Sequence, residues 1–310
     1  MSIKVKELKI EGINKEVQRC FGGAWYHKVM SVSHNFYGIE GTITLPMPFI
    51  KRYKDDYQSS KMIDYDHKNL DVSSVYMGGH AIDESDVGLC LTTALLDGKI
   101  TKGSCVYRPF WRYITDENLD IGTYDFDKNR FYAATQLSDI GGLKNIYAMH
   151  HISFSETYFM PGDKIKMSLI SPKADFLQMT IELIEISKLK YAVDLRKKYK
   201  LKDPQTFVSP MFSSKGHGTD VAKTYKRVNA IDQVSNEGKV AINSKTTIYN
   251  GNWHSCYLYH KVGNDIFKTP FNESISVSMN CPDRKGFIIS PLDPKTGGQN
   301  VTIIPKDAKS

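Results

Sequence analysis

The side chains able to do chemistry in this sequence stand in few groups. Gln233 and Glu237, in Asp232-Gln233-Val234-Ser235-Asn236-Glu237-Gly238-Lys239, are the only close Gln/Glu pair in the stretch that follows Tyr225. A carboxylate can take a proton from water while a nearby amide donates to the oxyanion that results. Asn236-Glu237-Gly238 also reads as a turn, which would leave the pair as ordinary loop residues. His150 and His151 are adjacent. Neighbours on a strand point to opposite faces, so these two do not hold one metal together. The sequence has no HExxH, no GxSxG and no phosphate loop, and Gly78-Gly79, Gly141-Gly142 and Gly297-Gly298 read as turns. No metal and no other cofactor is expected.

A second group is aromatic. Trp25, Trp111 and Trp253 each stand within one or two residues of another aromatic or a His. In Tyr107-Arg108-Pro109-Phe110-Trp111-Arg112-Tyr113, strand alternation puts Trp111 and Tyr113 on one face with Tyr107. On a concave sheet such a row stacks sugar rings or cradles a peptide; turned between two sheets it is core. Tyr107, Trp111, Tyr113 and Trp253 are the candidate groove residues.

The five cysteines, Cys20, Cys90, Cys105, Cys256 and Cys281, are odd in number and without CxxC spacing. Free thiols in a reducing compartment are the expectation, and zinc is not expected. The N-terminus, MSIKVKELKIEG, alternates Ile3, Val5, Leu8 and Ile10 with charge and reads as a first strand. It lacks an apolar signal core, so an intracellular, cytoplasmic chain is expected, and the two sequons at Asn272 and Asn300 read as chance. No apolar run approaches the roughly 20 residues that span a bilayer. The net charge of +7 is spread along the chain, and the densest basic cluster is Lys188–Lys200. That cluster reads as a solvated face, with nucleic acid or an acidic partner as the alternative. Neither nucleic acid nor membrane is the expected partner.

The elements that must position these groups are mostly strands. Residues 37–45, 163–170, 177–185, 274–279 and 300–304 alternate apolar and polar residues and are bounded by Gly, Pro, Asn or Asp. Tyr and Phe, 18 and 14 in number, suit a half-buried pleated surface. Residues 186–201 place Ile186, Leu189, Val193 and Leu201 on one stripe and read as a short helical insertion. Residues 50–74 and 202–222 read as polar surface excursions, of a kind that carry binding or assembly roles. No repeat or composition break divides the 310 residues. The expectation is one all-β domain over 1–310, a two-sheet antiparallel β-sandwich.

The order of these segments resembles the glutamic peptidases, or eqolisins, acid-active enzymes built as a two-sheet sandwich. Phe21-Gly22-Gly23-Ala24-Trp25 and the strand Tyr37–Leu45 ending at Pro46 are similar to the family's opening strands. Val75-Tyr76-Met77-Gly78-Gly79-His80-Ala81-Ile82-Asp83 resembles its Trp-Val-Gly-Ile-Asp segment, and Gly88–Ala94 its Ile-Leu-Gln-Thr-Gly strand. Tyr107–Tyr113 falls where the family has an aromatic strand, Pro161–Lys166 is similar to its Gly-Asp-x-Ile-x-Val strand, and Asn250-Gly251 sits near a late turn. The likeness runs loosely over residues 20–280.

The resemblance implies a Gln that holds the oxyanion and a Glu that acts as base. Matched segment by segment, those positions fall on Thr92 and Lys226. A protonated lysine does not deprotonate water, and threonine has no amide to donate. The implied protein is a sandwich with both catalytic roles vacant, acting by binding or self-association. The alternatives are a carbohydrate-binding protein using the Trp and Tyr platforms, and an acid peptidase with its pair displaced to Gln233 and Glu237.

Overall fold

The computed structural model describes residues 3–10, 19–52, 70–96, 99–113, 123–125, 130–132, 159–209, 211–233, 236–263, 265–282 and 285–305. Within these, side chains are left undescribed at 92–105, 112–113, 123–125, 130–132 and 199. In chain order the strands are β1 Ala24–Ser31, β2 Phe36–Thr44, β3 Met47–Phe49, β4 Asp71–His80, β5 Glu84–Leu96, β6 Lys99–Tyr113, β7 Thr123–Asp125, β8 Arg130–Tyr132, β9 Lys164–Ile170 and β10 Phe176–Glu185. The helix α1, Lys190–Tyr199, follows. Then come β11 Phe207–Val208, β12 Phe212–Ser213, β13 Thr224–Gln233, β14 Thr247–Val262, β15 Asp265–Pro270, β16 Ser276–Cys281, β17 Phe287–Ile289 and β18 Gln299–Ile303.

The period-2 runs become strands because alternation gives each a face to bury. Ile165, Met167 and Leu169 of β9 and Leu177, Met179 and Ile181 of β10 are buried, while the residues between them are not. Two antiparallel sheets result. One has six strands in the order β16-β1-β13-β4-β5-β6, and the other runs β11-β10-β9-β2-β14-β18-β17, with β12 on β10 and β3 and β15 on β14. The main core lies between them and takes Trp25, Val29, Val75, Met77 and Leu89 from the first sheet and Ile39, Ile43, Met167 and Leu258 from the second. The chain is an all-β sandwich, as its alternation requires.

Local expectations meet several corrections. The N-terminal alternation makes one parallel bridge, Val5 to Lys268, rather than a strand: the described backbone pairing to β15 is Lys6 N to Lys268 O and Lys268 N to Lys4 O, and Leu8 N donates instead to the Thr269 side chain. The helix lies within 186–201, but its buried side is Ala192 and Leu195, while Leu189 and Val193 are exposed. Asp163 explains the rotation. Its buried carboxylate accepts from the backbone N–H groups of Met160 and Ser187, each at 2.7 Å, and from Arg196 Nη2 at 2.8 Å, which turns Arg196 inward. The segment 202–222 is tied down rather than loose: β11 and β12 pair with β10, and Ser209, Ser214 and His217 are buried. Of 50–74, residues 71–74 belong to β4 and 53–69 lie outside the described residues, as do His150 and His151. Among the described residues no helix is long and apolar enough to cross a membrane.

The cysteines also differ from expectation. Cys20 and Cys281 form a disulfide across 261 residues of sequence, while Cys256 is a buried thiol. Odd count and wide spacing concealed a pair that only strand packing brings together.

Candidate functional site

The strand β13 crosses the middle of the six-stranded sheet and sorts its side chains by parity. Tyr225, Arg227 and Ile231 point into the sandwich, while Lys226, Val228 and Ala230 lie on the sheet's other face. That outer face has its own small cluster, Ala24, Tyr26, Tyr76, Val228, Ala230 and Cys281, with Phe110 and Met279 packed against it. Register then decides who meets Lys226. It stands opposite Gly78 of β4, which stands opposite Asp86 of β5. The lysine chain crosses over Gly78 and ends between two carboxylates, 2.5 Å from Glu84 Oε1 and 2.9 Å from Asp86 Oδ1.

Gly78 is what allows the crossing. A Cβ there would stand 2.0 Å from Asp86 Oδ1 and 2.6 Å from Lys226 Cε. Gly78-Gly79 is therefore a strand position kept bare for the ion cluster and, at Gly79, for the ring of His217, rather than a turn.

Electrostatics follow from burial and these contacts. Burial alone would lower the Lys226 ammonium, but the Asp86 and Glu84 carboxylates outweigh it and hold the group above the ordinary lysine value. Burial works against the charge of Glu84 as well, and the Lys226 ammonium reverses that and holds the carboxyl below its usual range. Asp86 is pushed up to about 6 by burial, which Lys226 offsets only in part. Two residues away from Tyr26 on the same strand, Lys28 is lowered to about 8 by burial and by the charge of Lys226. Asp232, at the far end of β13, is raised to about 6 by burial despite a hydrogen bond with the Ser74 side chain.

The structure separates most of the residues singled out in the sequence. Thr92 is not beside Lys226: it pairs with Val106 and lies six residues beyond Asp86 on β5, about 20 Å at ~3.3 Å per residue. Its side chain lies outside the described residues. Gln233 and Glu237 form no pair. Gln233 is buried and braces a loop, donating to Ile242 O at 2.7 Å and accepting from Ile242 N at 2.8 Å. Glu237 is exposed on the turn after it.

The aromatic groove is corrected too. Tyr107, Trp111 and Trp253 are buried in the core between the sheets, so no sugar ring reaches them. Tyr107 holds Ser73 Oγ at 2.8 Å and donates to Pro46 O at 3.2 Å; Trp111 packs on Phe207 with ring centres 5.5 Å apart. Trp253 Nε1 donates to Asn229 Oδ1 at 2.7 Å, and the Arg227 guanidinium lies 5.1 Å from its ring. The side chain of Tyr113 lies outside the described residues. Among the described residues no three His, Cys, Asp or Glu side chains are placed to hold a metal ion.

The residues that sequence reasoning passed over are Tyr26, Lys28, Tyr76, Glu84, Asp86 and Asp232. One signal was present: Glu84-Ser85-Asp86 puts two carboxylates on one face at the start of a strand.

Two antiparallel sheets, with an ion cluster on the outer face of the smaller one, make this chain a β-sandwich. The chain is similar in fold to solved structures of that kind. A crystal structure of scytalido-glutamic peptidase with a transition state analog inhibitor matches at TM-score 0.45 and 9% identity, over 92% of this chain and 100% of that one. A second, with a peptide-based transition state analog, matches at TM-score 0.42 and 8% identity over 91% and 98%. The eqolisin SCP-B in complex with the tripeptide Ala-Ile-His matches at TM-score 0.38 and 8% identity over 91% and 98%. No family model matches the chain, and no curated protein matches it.

Proposed function

We propose that this chain is a non-catalytic binding protein on an eqolisin-like sandwich, acting through self-association or a protein partner. One observation carries the reading: the ammonium of Lys226, held between Glu84 and Asp86 at 2.5 and 2.9 Å, stands where the segment order calls for a general base. An ammonium held above the ordinary lysine value keeps its charge through the acid range and accepts no proton from water. The two carboxylates beside it are engaged by that charge. The buried amides of Gln233 and Asn229 sit at odd positions on β13, with the inward-facing residues, so neither is placed to donate to an oxyanion beside Lys226. What the outer face does offer is contact chemistry: the exposed Phe21 ring and the partly exposed Phe110, Met279 and Glu84.

Two measurements test this. Incubation of a denatured protein substrate between about pH 3 and 5 is expected to give no cleavage above that of a Lys226→Met variant. Light scattering behind a sizing column is expected to show a mass that rises with protein concentration. Cleavage abolished by Asp232→Asn would overturn the reading in favour of a displaced acid. A strictly monomeric species that captures no protein would overturn it as well.

A further inference from the structure

We propose that the Cys20–Cys281 disulfide is a thiol-exchange site that fastens a strap, Arg19–Gly22, across one end of the outer face, and that a dithiol reductant opens it. That this end belongs to a contact face rests on the function proposed above; the strap itself rests on geometry alone. Cys281 ends β16 and stands directly opposite Tyr26 in the register. Tyr26 is fully buried although it faces away from the main core. Its cover is the residue after Cys20. The Phe21 ring lies flat on the Tyr26 ring, with centres 3.9 Å apart and planes 6° from parallel, and the Phe21 N–H donates to the Tyr26 hydroxyl at 3.0 Å. The covered tyrosine is part of the site's surroundings: burial raises its phenol, and the charge of Lys226 acts against that rise.

The chain is anchored at Gly22 and Gly23. Gly23 has φ +85, and a Cβ on Gly22 or Gly23 would stand 2.3 Å from Lys239 O or 2.4 Å from Asn236 O. The backbone there is pinned, since Gly22 O accepts from Gly238 N and Gly23 O from Gln233 N. Motion is thus confined to the residues before Gly22. With the disulfide closed, the strap is held at both ends. With it open, the described contacts left on Arg19, Cys20 and Phe21 are one ring stack and one hydrogen bond, and ordering these three residues costs more than they return.

The chemistry balances. A thiolate of the dithiol attacks the sulfur of Cys20, which is exposed, while Cys281 is not. The Cys20–Cys281 bond breaks, Cys281 leaves as a thiolate and takes a proton from solvent, and a mixed disulfide forms at Cys20. The second thiol of the reductant then displaces Cys20 and closes its own disulfide. Two electrons and two protons pass to the protein, which ends with two thiols. A chain in a reducing compartment carries the strap open, and oxidation closes it over Tyr26.

The test uses the full chain, with and without dithiothreitol, and two variants, Cys20→Ser and Phe21→Ala. Nitration of Tyr26 by tetranitromethane, done after the freed thiols are alkylated and the reductant is removed, and read by peptide mass, reports the cover; alkylation of Cys20 reports the disulfide; sizing of the same samples reports association. Without reductant, Tyr26 and Cys20 are expected to be protected. Reduction or Cys20→Ser is expected to raise Tyr26 nitration by about tenfold or more, as loss of a local tether does. Phe21→Ala is expected to expose Tyr26 with the disulfide intact. Alkylation of Cys20 in the unreduced native chain would overturn the proposal, as would equal Tyr26 nitration before and after reduction. If the cover opens on reduction and association stays unchanged, the strap stands, and the contact role of this face falls instead.

Discussion

Replacing Lys226 by methionine isolates the interaction on which the site turns. Methionine keeps most of the apolar stem and removes the ammonium from between Glu84 and Asp86. The two carboxylates are then left two residues apart on one face of β5. At about 6.5 Å and an effective dielectric of about 20, their repulsion is on the order of 2–3 kcal/mol. Breaking a buried pair by removing one partner costs about 3–5 kcal/mol. The Glu84 side chain is 26% exposed, which screens its share, so a loss of about 3 kcal/mol at pH 7 is the expected value. For a chain of 310 residues that is roughly 5 °C in Tm.

The loss has a signed pH dependence. Asp86 has a folded pKa of about 6, above its unfolded value, so even in the native sequence it binds protons more readily folded and weakens the fold as pH rises from about 4 to 6. Glu84 is depressed and contributes stability above its unfolded pKa that is lost as pH falls. Without the ammonium both carboxyls move up, because Lys226 is the main influence holding each of them down. The variant's deficit should therefore be full near pH 7 and shrink as pH falls through the Asp86 value, vanishing only below the depressed folded value of Glu84, where both groups are protonated in the native chain too. Thermal melts by circular dichroism at several pH values read this directly. A further Asp86→Asn change should recover at least about 1 kcal/mol of the loss. A deficit that does not vary with pH, or none at pH 7, would refute the electrostatic account of the site.

Three further outcomes follow from other parts of the molecule. Burial lowers His27 to about 4, helped by the charge of Arg227, so it contributes stability above its unfolded pKa that is lost as pH falls towards 4. His27→Gln should lose about 3 kcal/mol less than the native chain between pH 6.5 and 4, as measured by urea denaturation. Gly78→Ala would drive a methyl to 2.0 Å from Asp86 Oδ1 and should lower stability by about 1–3 kcal/mol, with the effect reduced in a Lys226→Met background where the crossing chain can give way. Trp253→Phe leaves the buried Asn229 oxygen without its donor and should cost about 1–3 kcal/mol by chemical denaturation, with an unchanged denaturant slope.

What the sequence determined by itself is the local geometry. Alternation in 163–170 and 177–185 set strands and chose their inward faces, because side chains on a strand repeat every two residues and the apolar set must leave water. The rest was decided by pairing over long distances. Lys226 meets Glu84 across 142 residues, and Cys20 meets Cys281 across 261. Neither pairing has a local signature, and Gly78 between the first two looked like a turn for that reason. The aromatic rows failed for a different cause. Both faces of β1 are buried, so apolar residues at successive positions do not say which face meets the second sheet. Only the closing of the two sheets on each other made Tyr107 and Trp111 of one, and Trp253 of the other, core, because the face that loses its water is chosen by the partner that covers it rather than by the strand.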